Sequence, residues 1–255
     1  MALTEAALRS ALERIGSDAP VRFDEVTGST QVAALELAEA GAPEWTLVAA
    51  GHQTQGRGRL ERPWLDADGA LLCSVVLRPE LEPERGGLLT LLAGAAMAET
   101  LRGVTGAEVA CKWPNDLLAA EAKVGGILAG SQVRGDRLAF VVLGVGVNLG
   151  AAPGVAGAGA LPGGDAAEVL GAFLEALARD HPPVEGFAER VLERYRDVCA
   201  TLGREVRATT VDGGTVEGTA VDVDALGGLV VRSAAGLETV RFGDVEHLRP
   251  GALPR

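Results

Sequence analysis

Apolar residues recur along this chain in two rhythms. Across residues 4–15, TEAALRSALERI, they return every three or four positions, the spacing of one helix face, with Thr4 placed as the cap. VRFDEV, residues 21–26, begins in strict alternation and predicts a strand. TGST then leads into QVAALELAEAG, a helix that Ser29 or Thr30 can cap and Gly41 can close. Residues 46–50 and 70–77 are continuous apolar runs, the signature of buried strands. A long helix rich in Leu and Ala is expected over 84–102, then a strand over 108–112 that stops at Pro114. Residues 116–118, 126–133 and 138–147 read as three strands, with a turn at Arg134-Gly135-Asp136.

The rhythm then lapses. GAAPGVAGAGALPGG, residues 150–164, is low in complexity and short on anchors, and is expected to be a mobile surface loop. Two helices are expected near 165–180 and 184–201. Beyond Gly203 the chain breaks into short β-rich runs separated by Gly-Gly and Asp-Gly pairs, the spacing of a small barrel of about five strands. The pattern therefore divides into a larger domain over 1–202 and a smaller one over 203–255, without internal repeats.

Composition narrows the function classes. Of the 255 residues, 47% are hydrophobic, enough for a real core. A formal net charge of -12 argues against general attraction to DNA, RNA or anionic membranes. Cys73, Cys111 and Cys199 are scattered and odd in number, so no disulfide framework is expected, and a reducing cytoplasm is the simplest setting. The N-terminal stretch lacks a signal-peptide layout, and no apolar run reaches the roughly 18 residues of a membrane span. His52, His181 and His247 are too dispersed for a zinc site, and no protein-built metal site is expected.

Against that acidic background, GHQTQGRGRLERPW, residues 51–64, gathers three arginines on a glycine-bearing segment. Gly56 and Gly58 let a backbone approach a ligand, and Arg57, Arg59 and Arg62 can neutralise a phosphate or carboxylate. A solvated connection between strands is the plainer reading. In KWPNDLL, residues 112–118, Asn115 and Asp116 stand at a strand end, where Asp116 can accept a proton or meet magnesium. An Asx turn beside a core Trp explains the same letters. Lys123 in KVGGIL can approach a phosphate or simply precede a strand. The glycines of GVGVN, residues 144–148, bare one strand face, for a flat ligand or for tight sheet packing.

Taken in order and at these separations, TGST, GRGR with the following Arg and Trp, KWPND, KVGGIL and GVGVN resemble the biotin protein ligase family. The resemblance runs from about residue 27 to 148, and GRGR with KWPND is its specific part. It implies an α+β fold like that of class II aminoacyl-tRNA synthetases. A central mixed, mainly antiparallel sheet would be flanked by helices and followed by a small C-terminal SH3-like β-barrel. It also implies ATP-dependent activation of biotin to biotinyl-5′-AMP, with Mg2+ on the triphosphate. Biotin would then pass to a lysine of a biotin carboxyl carrier domain.

By the same resemblance, Ser29, Thr30 and Gln53 contact the biotin head, and Gly56, Arg57 and Arg59 belong to a loop closing over biotin and its adenylate. Lys123 meets the biotin carboxylate and the α-phosphate, and Gly126, Gly144 and Gly146 form walls. Arg57, Arg59, Arg62, Trp64, Asn115, Asp116, Lys123 and Asn148 surround the nucleotide. Lys123 and Arg59 carry the catalysis, with Asp116 the nearest carboxylate along the sequence to serve as base. Three positions depart from the family pattern. Glu61 replaces a loop glycine, Gln31 an asparagine before the first helix, and Gly150 an asparagine after GVNL. About twenty residues precede the first catalytic strand, so a DNA-reading winged helix is not expected, and monomer or homodimer are both compatible. A lipoate-type ligase, or a non-catalytic adenylate- or nucleic-acid-binding module, is the alternative.

Overall fold

The computed structural model describes residues 3–182 and 185–248. Its main sheet contains β1 (Val21–Thr27), β2 (Leu47–Gln53), β3 (Leu71–Leu77), β4 (Val109–Lys112), β5 (Asp116–Ala119), β6 (Ala122–Arg134) and β7 (Arg137–Val147). The spatial order is β1-β2-β3-β7-β6-β5-β4. Only the β1–β2 pair is parallel, so the sheet is mixed and mainly antiparallel, as expected. The β6–β7 hairpin turns at Gly135 and Asp136, with Gly135 at φ 65.

Among the described residues five α-helices flank this sheet or pack on the helices that do: α1 (Glu5–Glu13), α2 (Thr30–Glu39), α3 (Gly86–Thr105), α4 (Ala166–Ala178) and α5 (Phe187–Val198). The expected start of the last one at residue 184 lies outside the described residues. Alternation along each strand divides the core into two layers. Ala33, Ala34 and Ala38 of α2 pack on Val48, Val76, Phe140 and Val142. Small side chains let α2 lie close to the sheet, and a Cβ on Gly144 would stand 2.3 Å from Gln31 Oε1. The opposite layer, centred on α3, holds Leu47, Ala49, Val141, Leu143 and Val145.

Pro83–Thr105 is long and apolar enough to cross a membrane, which corrects the expectation that no such run exists. Most of it is buried against the sheet, α4 and α5, so its apolarity is that of a core helix. Leu8, Ala11 and Leu12 of α1 are buried against the same core, and Arg14 just beyond it pairs with Glu168 and Glu175 of α4.

The tail forms β8 (Glu205–Thr210), β9 (Thr215–Val223), β10 (Leu229–Ser233), β11 (Gly236–Val240) and β12 (Gly243–His247). These five strands are antiparallel in the order β11-β10-β9-β8-β12. Among the described residues β11 and β12 remain edges, so the expected barrel is an open ladder. Yet only Arg241 and Phe242 join the two edges. A flat sheet of five strands would separate them by about 19 Å, and two linking residues reach only about 10 Å. The sheet must curl, as an SH3-like fold does. β8 starts just after the boundary we propose near residue 202, although one hydrophobic cluster runs through both parts.

The 150–164 segment corrects the expectation of few anchors. Lys123 N donates to Gly157 O and Gly159 N to Lys123 O, both at 2.8 Å, while Leu161 N donates to Asn148 O. These three anchors are backbone groups, which composition does not display.

Candidate active site

One cavity gathers the β2–β3 connection, the turn between β4 and β5, the glycine strip of β6 and β7, and the start of β12. The turn is held from both sides. Trp113 N donates to Thr201 Oγ1 at 2.9 Å, and Trp113 Nε1 donates to Gly227 O at 3.0 Å. The Trp113–Pro114 peptide is cis. Asn115 then locks onto β6, its Nδ2 donating to Ile127 O at 2.9 Å while Ile127 N donates to Asn115 O. Asp116 and Lys123 face each other across the β5–β6 turn, with Lys123 Nζ 2.6 Å from Asp116 Oδ1. That contact suits Asp116 to holding Lys123 more than to acting as an unencumbered base.

Trp64 lies flat on the glycine strip. A Cβ on Gly146 would come within 2.6 Å of its indole, so only glycine leaves room for the ring. Lys123 Nζ stands 5.9 Å from the ring centroid. At the other end, Thr30 N and Oγ1 both donate to Gln53 Oε1, at 2.8 and 3.2 Å. Ser74 Oγ lies 3.0 Å from Thr30 Oγ1. Ser29 Oγ is buried and has no partner among the described residues, nor has Trp64 Nε1. A buried hydroxyl without a partner costs about 1–3 kcal/mol, so a polar ligand group beside Ser29 would recover that energy.

The arginine loop folds on itself: Gly58 N donates to Arg62 O at 2.7 Å and Trp64 N to Gly56 O at 2.9 Å. Arg59 points inward. Its Nη1 lies 3.3 Å from both Asn115 Oδ1 and Asp244 Oδ1, and its Nη2 donates to Gly243 O at 3.0 Å. Burial lowers the Arg59 pKa, with Asp244 and Asp116 opposing it. Arg62, more exposed, reaches Asp244 Oδ2 at 2.5 Å.

Of the residues expected at the site, Ser29, Thr30, Gln53, Arg57, Arg59, Arg62, Trp64, Asn115, Asp116, Lys123, Gly126, Gly144 and Gly146 line this cavity. Gly56 and Asn148 do not. Gly56 is buried behind the backbone of Trp64. Asn148 is buried too, and its Nδ2 donates to Gly159 O at 2.9 Å, which ties down the 150–164 segment. Sequence reasoning missed Ser74, Lys112 and Asp244 as lining residues. Ser74 left a faint signal, one hydroxyl in the apolar run LLCSVVL; Asp244 left none. Among the described residues no three His, Cys, Asp or Glu side chains form a metal-binding group.

The Biotin/lipoate A/B protein ligase family matches residues 23–148, and the Biotin protein ligase C terminal domain matches residues 201–248. The Bifunctional ligase/repressor BirA of Bacillus subtilis is 31% identical over 96% of this chain and 79% of its own. This chain belongs to the biotin protein ligase family. The Biotin--[acetyl-CoA-carboxylase] ligase of Mycobacterium tuberculosis is 35% identical over 88% of this chain and 87% of its own. The structure of the Aquifex aeolicus biotin protein ligase in complex with biotin and ATP superposes with a TM-score of 0.73. It is 26% identical and covers 90% of this chain and 99% of that one.

Membership of the biotin protein ligase family gives the departures a structural reading. A Cβ at Gly150 would stand 2.3 Å from Asp68 O, so this backbone leaves no room there for a side chain. Gln31 sits inside the first turn of α2 rather than before it, and its Nε2 donates to Val142 O at 3.1 Å. Glu61, like Leu60, adopts a left-handed backbone, with φ 59 and 53. Such a conformation costs a non-glycine residue roughly 1–2 kcal/mol. Glu61→Gly is therefore expected to hold the loop at least as well. Because the Glu61 side chain is exposed, loss of its charge is nearly silent. Dissociation of biotinyl-5′-AMP should be unchanged or up to about tenfold slower, a range set by that strain. Faster dissociation would show that Glu61 itself secures the loop.

Proposed function

We propose that this protein activates biotin with MgATP to biotinyl-5′-AMP and transfers the biotinyl group to a lysine of a biotin carboxyl carrier domain. The observation that carries this reading is the common cavity of Lys123, Arg59 and the unpartnered Ser29 hydroxyl. Biotin would place its ureido head among Ser29, Thr30 and Gln53 and its carboxylate toward Lys123. The nucleotide would lie toward Trp64, Asn115 and Arg62. In the first step a carboxylate oxygen attacks the α-phosphorus and pyrophosphate leaves. Two anions must approach, and the ammonium of Lys123 and the guanidinium of Arg59 offset their repulsion in a partly desolvated site. The described residues offer no cage for a resident metal, so magnesium would enter on the triphosphate as part of the substrate.

The names of the relatives favour biotin over lipoate as the acid. The test is incubation with biotin, MgATP and a carboxyl carrier domain, read by intact mass. One biotinyl addition is expected, and none with lipoate. A lipoyl addition, or no addition to the carrier, would reject the reading. The three cysteines are free and buried, which suits the reducing cytoplasm we propose as its setting.

We also propose that no duplex DNA is bound. The chain is acidic, and α1 turns its apolar residues into the core rather than standing free to enter a groove. A gel-shift titration at physiological salt, with and without biotin and ATP, should show no specific complex. A biotin-dependent shift would overturn this expectation.

A further inference from the structure

A second cavity, of about 380 Å3, adjoins the first. Both are lined by Arg59, Trp113, Pro114, Asn115 and Ile127. They follow opposite faces of β6. Gly126 and Leu128 border the first, while Ala129 and Ser131 border the second, which α3 covers with Thr90 and Leu91. They meet where β5 stops covering β6: the pairing ends at Asp116 with Gly126, and the Asn115–Ile127 bonds close it.

We propose that this second cavity receives the lysine side chain of the acceptor protein and delivers its amine past Arg59 to the acyl-adenylate. The proposal rests on the ligase reading above and adds the route of the second substrate. Leu91, Leu138 and Val141 wall the cavity, and they suit the four methylenes of a lysine. Glu84 lines its exposed side and can draw an ammonium in. Phe242, also on the lining, is 72% exposed and offers an apolar contact to the backbone around an incoming lysine.

The lining also supplies what the chemistry needs. An amine attacks only when neutral, and the carboxylate of Asp116 in the first cavity is engaged by Lys123 at 2.6 Å. Apolar walls disfavour the ammonium form. The N-terminal end of α3 and the guanidiniums of Arg59 and Arg241 add positive potential in the same sense. Of the acids nearby, Asp224 lies 3.7 Å from Arg241, and Asp244 lies 3.3 Å from Arg59. Glu84 acts at the entrance. The lysine thus sheds its first proton to water on entering. Its nitrogen then attacks the acyl carbon and a C–N bond forms. The bond from that carbon to the phosphate oxygen breaks with its electron pair going to AMP, and the surplus proton on nitrogen passes to water.

Two variants fill the cavity away from the first site. Thr90→Phe does so from α3, and Ser131→Trp does so from an exposed strand position that carries no core packing. Three readouts are compared on the full chain: the biotin-dependent burst of pyrophosphate, consumption of the adenylate by hydroxylamine, and transfer to the carrier domain. Hydroxylamine is small enough to need no channel. We expect the first two to stay within about twofold of the unaltered protein and transfer to fall at least tenfold. Undiminished transfer in Ser131→Trp would overturn the proposal. So would an equal loss of burst and transfer in that variant, which would assign the cavity to the nucleotide. Absence of a burst from the unaltered protein would instead remove the ligase reading itself.

Discussion

Lys123→Ala is expected to slow biotinyl-5′-AMP formation by about a hundredfold or more while leaving the protein folded. The ammonium is lost where charge builds on the transferring phosphoryl group, and one such contact is worth about 3 kcal/mol. At roughly 1.4 kcal/mol per factor of ten, that is about two orders of magnitude. The change also leaves the carboxylate of Asp116, 2.6 Å from Lys123 Nζ, without that cation and facing the incoming phosphates. Repulsion therefore adds to the loss, and Asp116→Asn in the Lys123→Ala background should recover part of the rate. The fold should survive because the strand start is held by backbone groups: Lys123 N to Gly157 O, and Gly159 N to Lys123 O. Pyrophosphate release and a melting curve measure the two halves. Near-normal turnover in Lys123→Ala would take this lysine out of the chemistry.

Arg59→Gly should act on retention. A reactive acyl-adenylate must stay bound until the acceptor amine arrives, and a charge-assisted contact from Arg59 contributes about 1.5–3 kcal/mol to holding it. Release should accelerate about ten- to a hundredfold, by that figure, while Lys123 still supports some synthesis. Escaped adenylate acylates accessible lysines, so labelling should spread from one acceptor lysine to many. The structure adds a second cause. Arg59 ties the loop to Asn115 and to Gly243 and Asp244 of the C-terminal sheet, so its removal frees the loop as well as the ligand. Arg62→Gly is the control. Its side chain is 68% exposed and, among the described residues, pairs with Asp244, so its effect on release should be much smaller. The adenylate off-rate decides the matter. Release from Arg59→Gly that is unchanged or slower would mean that charge does not hold the loop.

Much of this architecture was legible from letter spacing alone. Apolar residues at helical intervals placed α1, capping residues placed α2, Leu and Ala content placed α3, and apolar runs placed β2 and β3, because each of these signals is local to its segment. GRGR and KWPND marked the cavity because glycines, a Trp-Pro corner and charged side chains within one short window carry their constraint locally. What lay beyond the sequence was every arrangement made by distant segments. Asp244 meets Arg59 across 185 residues, and nothing around Asp244 distinguishes it from the chain's other acids. Lys123 and Asp116 are only seven positions apart. Yet whether their charges would meet each other or a substrate depended on the β5–β6 register. Asn148, grouped with the nucleotide by its motif, donates its Nδ2 to Gly159 O, while its Oδ1 is buried without a partner among the described residues, a division its motif does not display. The 150–164 segment looked unanchored because backbone hydrogen bonds are written in no side chain. Local pattern determined which elements form and where the charged loop lies. Tertiary structure alone decided which buried polar groups pair with one another and which, like the Ser29 hydroxyl, have no partner among the described residues, because pairing depends on distance in space and not on separation along the chain.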